Sequence, residues 1–299
     1  MIINTQTLDA AYTGFKTLFN QGFEGAKSIT PEITTKVPSS MEKEVYGWLG
    51  QFPGMRKWVG DRIIKNLVAH GFTVVNELFE DTISIPRTKI EDDSYGVFSS
   101  FFVEMGRAAA EKPDEIVANL LLNGFDQQCF DGQYFFDSDH PVRTGDNDYV
   151  SVSNVQSGSS APWFLLDTSR AIKPILWQER IPFSQFQRLD RDSDHNVFFQ
   201  DEYIYGVRGR GNAGYGLWQM AFGSKATLDA DNYEAARVAM MGFKGDEGRP
   251  LGIMPNTLVV PPSLEKKALN ILNAEHLENG ESNVYRNTAK LIVTPWLSA

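Results

Sequence analysis

The sequence predicts an α+β protein. Three observations carry that reading. Apolar residues recur at spacings of three and four over two long segments, and short runs of β-branched and aromatic residues lie between and beyond them. The two kinds of element also mix without the strict alternation that builds a parallel sheet. Length and composition agree: 299 residues, 42% hydrophobic and 22% charged, suffice to bury a sizeable core without disulfides or metals. A balance of 28 Lys and Arg against 38 Asp and Glu leaves a net charge of −10. That argues against a polycationic binder of DNA or membranes, because neutralising phosphates takes clustered basic residues, though an acidic face can still sit near nucleic acid without gripping it. Cys129 is the single cysteine, so a disulfide framework, a Cys-rich zinc ribbon and an iron–sulfur site are excluded, and a reducing compartment fits. Met1 to Asp9 contain no basic stretch ahead of an apolar one, so no secretory signal is expected. No run of about 18 apolar residues is present to span a membrane.

Residues 7–24 form the first periodic segment. Leu8, Ala11, Tyr12, Phe15, Leu18, Phe19 and Phe23 make an apolar helical stripe, with Thr5 or Thr7 as the expected cap. Ser28 to Ser40, rich in Ser and Thr with two prolines, predicts extended chain or linker. A helix beyond a linker has little core of its own, so its apolar face needs either the parent domain or a neighbouring subunit. Residues 42–94 look strand-like, with period two at Thr82-Ile83-Ser84-Ile85, a turn at Pro53-Gly54 and a possible short helix over Arg62 to Ala69. The strongest helical pattern runs from Tyr95 to Leu122, through Val97, Phe101, Phe102, Met105, Ala108 and Ala109. Pro113 makes it either one kinked helix or two stacked ones, and Gly124 marks its end.

Asp131-Gly132 is a turn pair, and Tyr134 to Ser160 is loop-rich, with a subdomain junction expected near 155–161. Strands are expected at Trp163 to Leu166, Ile175 to Trp177, Leu258 to Val260 and Leu291 to Val293. Helices are expected at Asp231 to Met241, opened by an Asp231/Glu234 capping pair, and from Ser263 to about Asn273.

Three local patterns suggest chemistry. Gly209-Arg210-Gly211-Asn212-Ala213-Gly214 is a formal G-x-G-x-x-G, but no helix opening follows it and no βαβ unit surrounds it, so a flexible loop is expected rather than a phosphate cradle. Asp190 to Asp201 spaces its acids like a calcium loop, yet His195 stands where glycine is needed and Asp201 where a bidentate glutamate is needed. The flanks, including Val197-Phe198-Phe199, read as strands, so a solvated turn is expected. Asp137-Ser138-Asp139-His140-Pro141 places carboxylates beside an imidazole, and Cys129 lies not far before it; turn formation is the simpler reading. No catalytic, cofactor-binding or metal-binding residue is expected.

Longer blocks resemble a known family. They are Trp48-Leu49-Gly50-Gln51-Phe52-Pro53-Gly54-Met55-Arg56-Lys57-Trp58, Glu91-Asp92-Asp93-Ser94-Tyr95-Gly96, the stretch from Cys129 to Pro141, and Tyr205-Gly206-Val207-Arg208-Gly209-Arg210-Gly211-Asn212. With nearly the whole chain, they resemble the major head subunit of Mu-like bacteriophages and prophages. The resemblance implies the tailed-phage major capsid fold of the Hong Kong 97 type. Its parts would be an N-terminal arm (1–44), an extended β loop (45–90), a peripheral domain with a long spine helix (91–160), an axial domain (161–260) and a return to the peripheral domain (261–299). It implies no enzyme but a subunit that self-assembles as pentamers and hexamers into an icosahedral shell, in the host bacterial cytoplasm, around double-stranded DNA held non-specifically. Scaffold, maturation protease and portal are the implied partners, with decoration proteins possible and no membrane. Leu8, Tyr12, Phe15, Phe19 and Phe23 of the arm would then be subunit glue. Two rivals stand beside this reading: an encapsulin-like compartment shell of the same fold, and a nucleotide- or calcium-dependent enzyme built on Gly209–Gly214 or Asp190–Asp201.

Overall fold

The computed structural model describes residues 4–47, 49, 72–92, 94–144, 148–245, 248–276, 280 and 282–298. Helix α1 (Thr5–Gly25) is capped one residue earlier than expected. Asn4 accepts from the Thr7 amide at 2.9 Å, and Thr7 Oγ1 accepts from the Asn4 amide at 3.0 Å. The Ser/Thr-rich stretch expected as linker instead holds a short helix, α2 (Thr30–Ile33), and a strand, β1 (Thr34–Pro38). What orders it is remote in sequence. The buried carboxylate of Asp114 accepts from Ser28 Oγ at 2.6 Å, the Ile29 and Thr30 amides at 3.0 and 2.9 Å, and Thr30 Oγ1 at 2.6 Å. Asp114 sits in α4 (Ser99–Asn123), one helix that runs through Pro113 and is preceded by a 3-10 turn at Ser94–Phe98.

Strands β2 (Lys43–Tyr46) and β3 (Phe72–Val75) pair antiparallel. Between them, the Trp48–Trp58 block, the Pro53-Gly54 turn and the Arg62–Ala69 segment lie outside the described residues, Leu49 excepted. Strand β4 (Glu77–Pro86) leads through α3 (Arg87–Glu91) towards α4. A long antiparallel hairpin, β9 (Ile175–Leu189) and β10 (Glu202–Tyr215), carries helix α5 (His195–Gln200) at its tip. With β1 and β4 on its flanks it forms a four-stranded sheet of order β1-β9-β10-β4.

A second sheet has five strands, in the order β13-β12-β8-β11-β7. These are β7 (Val155–Gln156), β8 (Trp163–Leu166), β11 (Ala221–Ser224), β12 (Thr257–Val260) and β13 (Lys290–Val293). A small hairpin of β5 (His140–Arg143) and β6 (Tyr149–Val152) precedes it, and helices α6 (Ala230–Met241) and α7 (Glu265–Leu272) accompany it. Helix α6 is capped by Asp229, which accepts from the Asn232 amide at 2.8 Å, not by the expected Asp231/Glu234 pair.

The strand pairing redraws the expected divisions. Residues 161–260 do not stay together: the hairpin 175–215 joins β1 and β4, while β8, β11 and β12 join the five-stranded sheet. No junction falls at 155–161, because β7 pairs with β11 in the same sheet as β8 and the Ser160 amide donates to Lys225 O at 2.9 Å. Strand β13 pairs with β12, so 261–299 completes that sheet.

The apolar interior forms two clusters. One holds Leu8, Phe15 and Phe19 of α1, Phe102, Met105 and Ala109 of α4, and Phe186, Tyr203 and Tyr205 of the hairpin. The larger gathers the five-stranded sheet, the other end of the hairpin (Ile175, Leu176, Trp177, Ala213 and Tyr215) and Val117, Ala118 and Leu121 of α4. Helix α4 therefore contributes its first half to one core and its second half to the other, which is the role of a spine.

Candidate assembly surfaces

The arm residues expected as subunit glue face inward. Leu8, Phe15 and Phe19 are buried within their own chain, and Tyr12 and Phe23 are half-buried. The Phe15 ring stacks on Phe102 at 4.2 Å and meets Tyr205 edge-on at 5.1 Å, while Phe19 stacks on Phe186 at 5.2 Å. Tyr12 donates its hydroxyl to Phe186 O at 3.1 Å and lies under the Arg188 guanidinium, which also pairs with Asp9. Two glycines let the helices touch. A Cβ on Gly22 would lie 1.9 Å from Val103 O, and one on Gly106 would lie 2.0 Å from Phe19 O. Of the two expected homes for this face, the parent chain supplies the one observed, because α4 presents a matching apolar stripe.

The three patterns that suggested chemistry resolve into structure. Gly209–Gly214 is no loop but the body of β10, and its glycines answer to close neighbours. A Cβ at Gly209 would sit 2.4 Å from the Phe183 ring, at Gly211 2.5 Å from Gln178 O, and at Gly214 2.3 Å from Val74 Cγ2. Nothing there opens a helix N-terminus towards a phosphate. In the acidic turn, Asp190 is buried between Arg188 Nη1 and the Tyr205 hydroxyl, each at 3.4 Å, while Asp192 pairs with Arg87 at 3.4 Å. Burial raises the Asp190 carboxyl, with Arg188 opposing. These acids are engaged separately rather than converging on one cation. Val197-Phe198-Phe199, read as strand, lies in helix α5.

The third pattern does converge. His140 is fully buried, with Nδ1 2.8 Å from Asp131 Oδ2, and the Cys129 thiol donates to Asp131 Oδ1 at 3.1 Å. Gly132, at φ +86°, makes the turn that folds Asp131 back. Burial would raise the Asp131 carboxyl, but the hydrogen bond and charge of His140, the thiol and the Gln133 amide bring it below its ordinary value. Burial, then the charge of Asp131, pushes the Cys129 thiol far above its ordinary value, so it stays protonated. The three donors could face a metal, but they hydrogen-bond one another at distances shorter than tetrahedral ligands keep across an ion. They form a polar knot, whose spatial closeness the sequence spacing alone did not establish.

What the fold leaves outside is apolar surface. Phe198 is 75% and Phe199 69% exposed, held outward by α5. The helix is anchored beneath them by buried Val197 and by Asn196, which donates to Leu189 O at 3.0 Å and Glu202 O at 2.7 Å. Val97 and Phe101 are exposed where α4 begins, and Val45, Val75 and Leu78 around the β2–β3 hairpin. No helix among the described residues is long and apolar enough to cross a membrane. Aromatic pairs held rigidly in water are characteristic of protein–protein contact.

A spine helix shared by two cores, a long flanking hairpin and several outward apolar patches suit a chain that packs against neighbours, and comparison with known proteins gives its class. The family model of the Mu-like prophage major head subunit gpT matches residues 8–297, and the chain belongs to that family. It is 41% identical to the major capsid protein of Escherichia phage Mu, covering 99% of this chain and 100% of that protein. It is likewise 41% identical to the Mu-like prophage FluMu major head subunit of Haemophilus influenzae, covering 99% of each. Among solved structures it is similar to a chain of the bacteriophage JBD30 procapsid, with a TM-score of 0.88, 42% identity, and 98% and 100% of the two chains covered. A chain of the JBD30 capsid matches with a TM-score of 0.78, 32% identity and 91% of each chain covered. The fold is that of the tailed-phage major capsid proteins, and the function is that of a structural head subunit, not an enzyme. Both rivals, the compartment shell and the ligand-dependent enzyme, are thereby set aside.

Proposed function

We propose that copies of this chain assemble as pentamers and hexamers into an icosahedral shell that encloses double-stranded DNA. The supporting observation is the full-length likeness to the JBD30 procapsid chain. A closed shell cannot be made from two-fold contacts alone; it needs heterologous contacts between unlike patches. Separate apolar patches at α5, at the start of α4 and around the β2–β3 hairpin suit that need. The net charge of −10 suits a container for a polyanion, because a basic lining would hold the genome instead of letting it pack and leave. A scaffold, a maturation protease and a portal are the partners such assembly takes, in the host bacterial cytoplasm, and the virion is its destination. One solved relative is a JBD30 capsid decorated with minor capsid protein trimers, so decoration of the outer surface is part of the same reading.

The test is to express the chain alone and with a scaffolding protein of a Mu-like phage and image the product by negative stain. Hollow shells, tubes or free rings of five and six subunits support the reading. A monomer or dimer under both conditions, or a shell with a strongly basic inner surface, contradicts it.

A further inference from the structure

The four-stranded sheet turns Phe186, Tyr203, Tyr205 and Ile85 into the core under α1 and α4. Residues directly opposite one another across strands share a face, and on the other face Arg210 stands between Leu78 and Ile181, and Arg208 between Glu80 and Gln185. Leu78 is 61% exposed, and Glu80, Arg208 and Gln185 are exposed with it. Neither guanidinium, Arg208 or Arg210, has an ion-pair or hydrogen-bond partner among the described residues. Glu80, the acid nearest to hand, takes the Thr82 hydroxyl instead. An open face of an antiparallel sheet is ordinarily polar. Arginine set beside large apolar groups is the composition of a protein–protein contact.

The complementary surface lies at the hairpin tip of the same chain. Around Phe198 and Phe199, residues 190–202 carry five acids against one arginine, and Asp194, Asp201 and Glu202 form no ion pair among the described residues. A tip cannot reach the arginines of its own chain. Val197 roots α5 in the α1–α4 core, beneath the sheet's opposite face, and Ile204 to Arg208 alone spans about 13 Å at about 3.3 Å per residue. We propose that the α5 tip of one subunit docks on the open sheet face of a second copy, its acids on Arg208 and Arg210 and its two rings over Leu78 and the guanidinium planes. The proposal rests on the shell reading above and names the surface that receives the tip. The contact joins unlike patches, as contacts that build rings must. Two phenylalanine rings offer about 300–500 Å², below the roughly 800 Å² per partner of a stable pair. The contact therefore forms in the particle, where other contacts add to it, and not between free subunits.

The test places a cysteine beside each patch without altering it, in the full-length chain assembled with a scaffolding protein of a Mu-like phage. Gln200→Cys adjoins Phe199, Gln185→Cys faces Arg208 across the strands, and the native Cys129 is buried. A short bis-maleimide is added to particles and to free subunits, and the products are read on a denaturing gel. Linked dimers and larger species are expected from the double variant in particles, and none from free subunits or from either single variant. Dimers from Gln200→Cys alone would set tip against tip and overturn the proposal. Normal particles of the double variant that give no link would overturn it too. As a second readout, which decides if the cysteine variants do not assemble, Arg208→Glu with Arg210→Glu is expected to lower particle yield at least about ten-fold, because like charges then meet. Arg208→Lys with Arg210→Lys keeps the charge and is expected to keep most of the yield. Normal yield from the glutamate variant would contradict the docking. A wild type that forms no particles refutes the shell reading and the docking with it, whereas wild-type particles without the predicted link or charge effect refute the docking alone.

Discussion

Glycines mark where chain meets chain too closely for a side chain. The G-x-G-x-x-G pattern was visible in the sequence, but its cause was not, since Phe183, Gln178 and Val74 reach it only through pairing across the sheet. Gly22 and Gly106 carried no local signal at all, being single glycines in good helical patterns. Gly106→Ala is expected to cost about 2–3 kcal/mol, because the added methyl meets the Phe19 carbonyl across two rigid helices. A denaturant titration with an unchanged midpoint would refute that packing. Asp114 was likewise unremarkable in sequence, yet four donors converge on it. Asp114→Ala is expected to lose about 3 kcal/mol by leaving buried amides unpaired, with proteolysis appearing first near 28–34. The raised, buried Cys129 thiol should resist alkylation in the native protein and react freely in denaturant. Its sign is clear: the unfolded thiol ionises first, so stability falls above about pH 8.5.

Helices with a long apolar period were legible. The stripe from Leu8 to Phe23 and the pattern through Met105 became α1 and α4, and only caps and boundaries moved. The partner of α1 was not legible, because amphipathicity says that a face must be covered without saying by what. The structure covers it with the chain's own α4, so the arm stripe serves first as core. Six-residue α5 was missed for the opposite reason: one and a half turns show no period, and Val197-Phe198-Phe199 imitates a strand. That error hid the most exposed aromatic pair among the described residues. Phe198→Ser with Phe199→Ser should leave the melting temperature of the free subunit within about 1–2 °C, since the rings touch solvent. The same pair of changes should lower assembly yield at least about ten-fold if a neighbour buries both rings, at about 1.5–3 kcal/mol each. Normal particles from the double variant, seen by sedimentation, would show that this tip lies outside the contacts.

Molecular layout was the least legible scale. Which strands share a sheet depends on pairings such as β1 with β9 and β13 with β12, well over a hundred and about thirty residues apart, and no local pattern encodes them. Periodicity supported only the α+β class, and the head-subunit architecture entered through longer blocks of resemblance. The continuous run 161–260 then proved to divide between two sheets held on one spine helix. The four-stranded sheet reaches both cores: Phe186, Tyr203 and Tyr205 lie in the smaller one, while Ile175, Trp177, Phe183 and Tyr215 lie in the larger one with the five-stranded sheet. Whether such subunits build a shell is the central question, and cryo-electron microscopy of the purified assembly answers it most directly. The account predicts closed particles with five- and six-fold clusters, each subunit keeping α1 on its own α4 and burying the α5 tip against a neighbour. A species that stays at 33.5 kDa or twice that mass, with scaffold present, would contradict it.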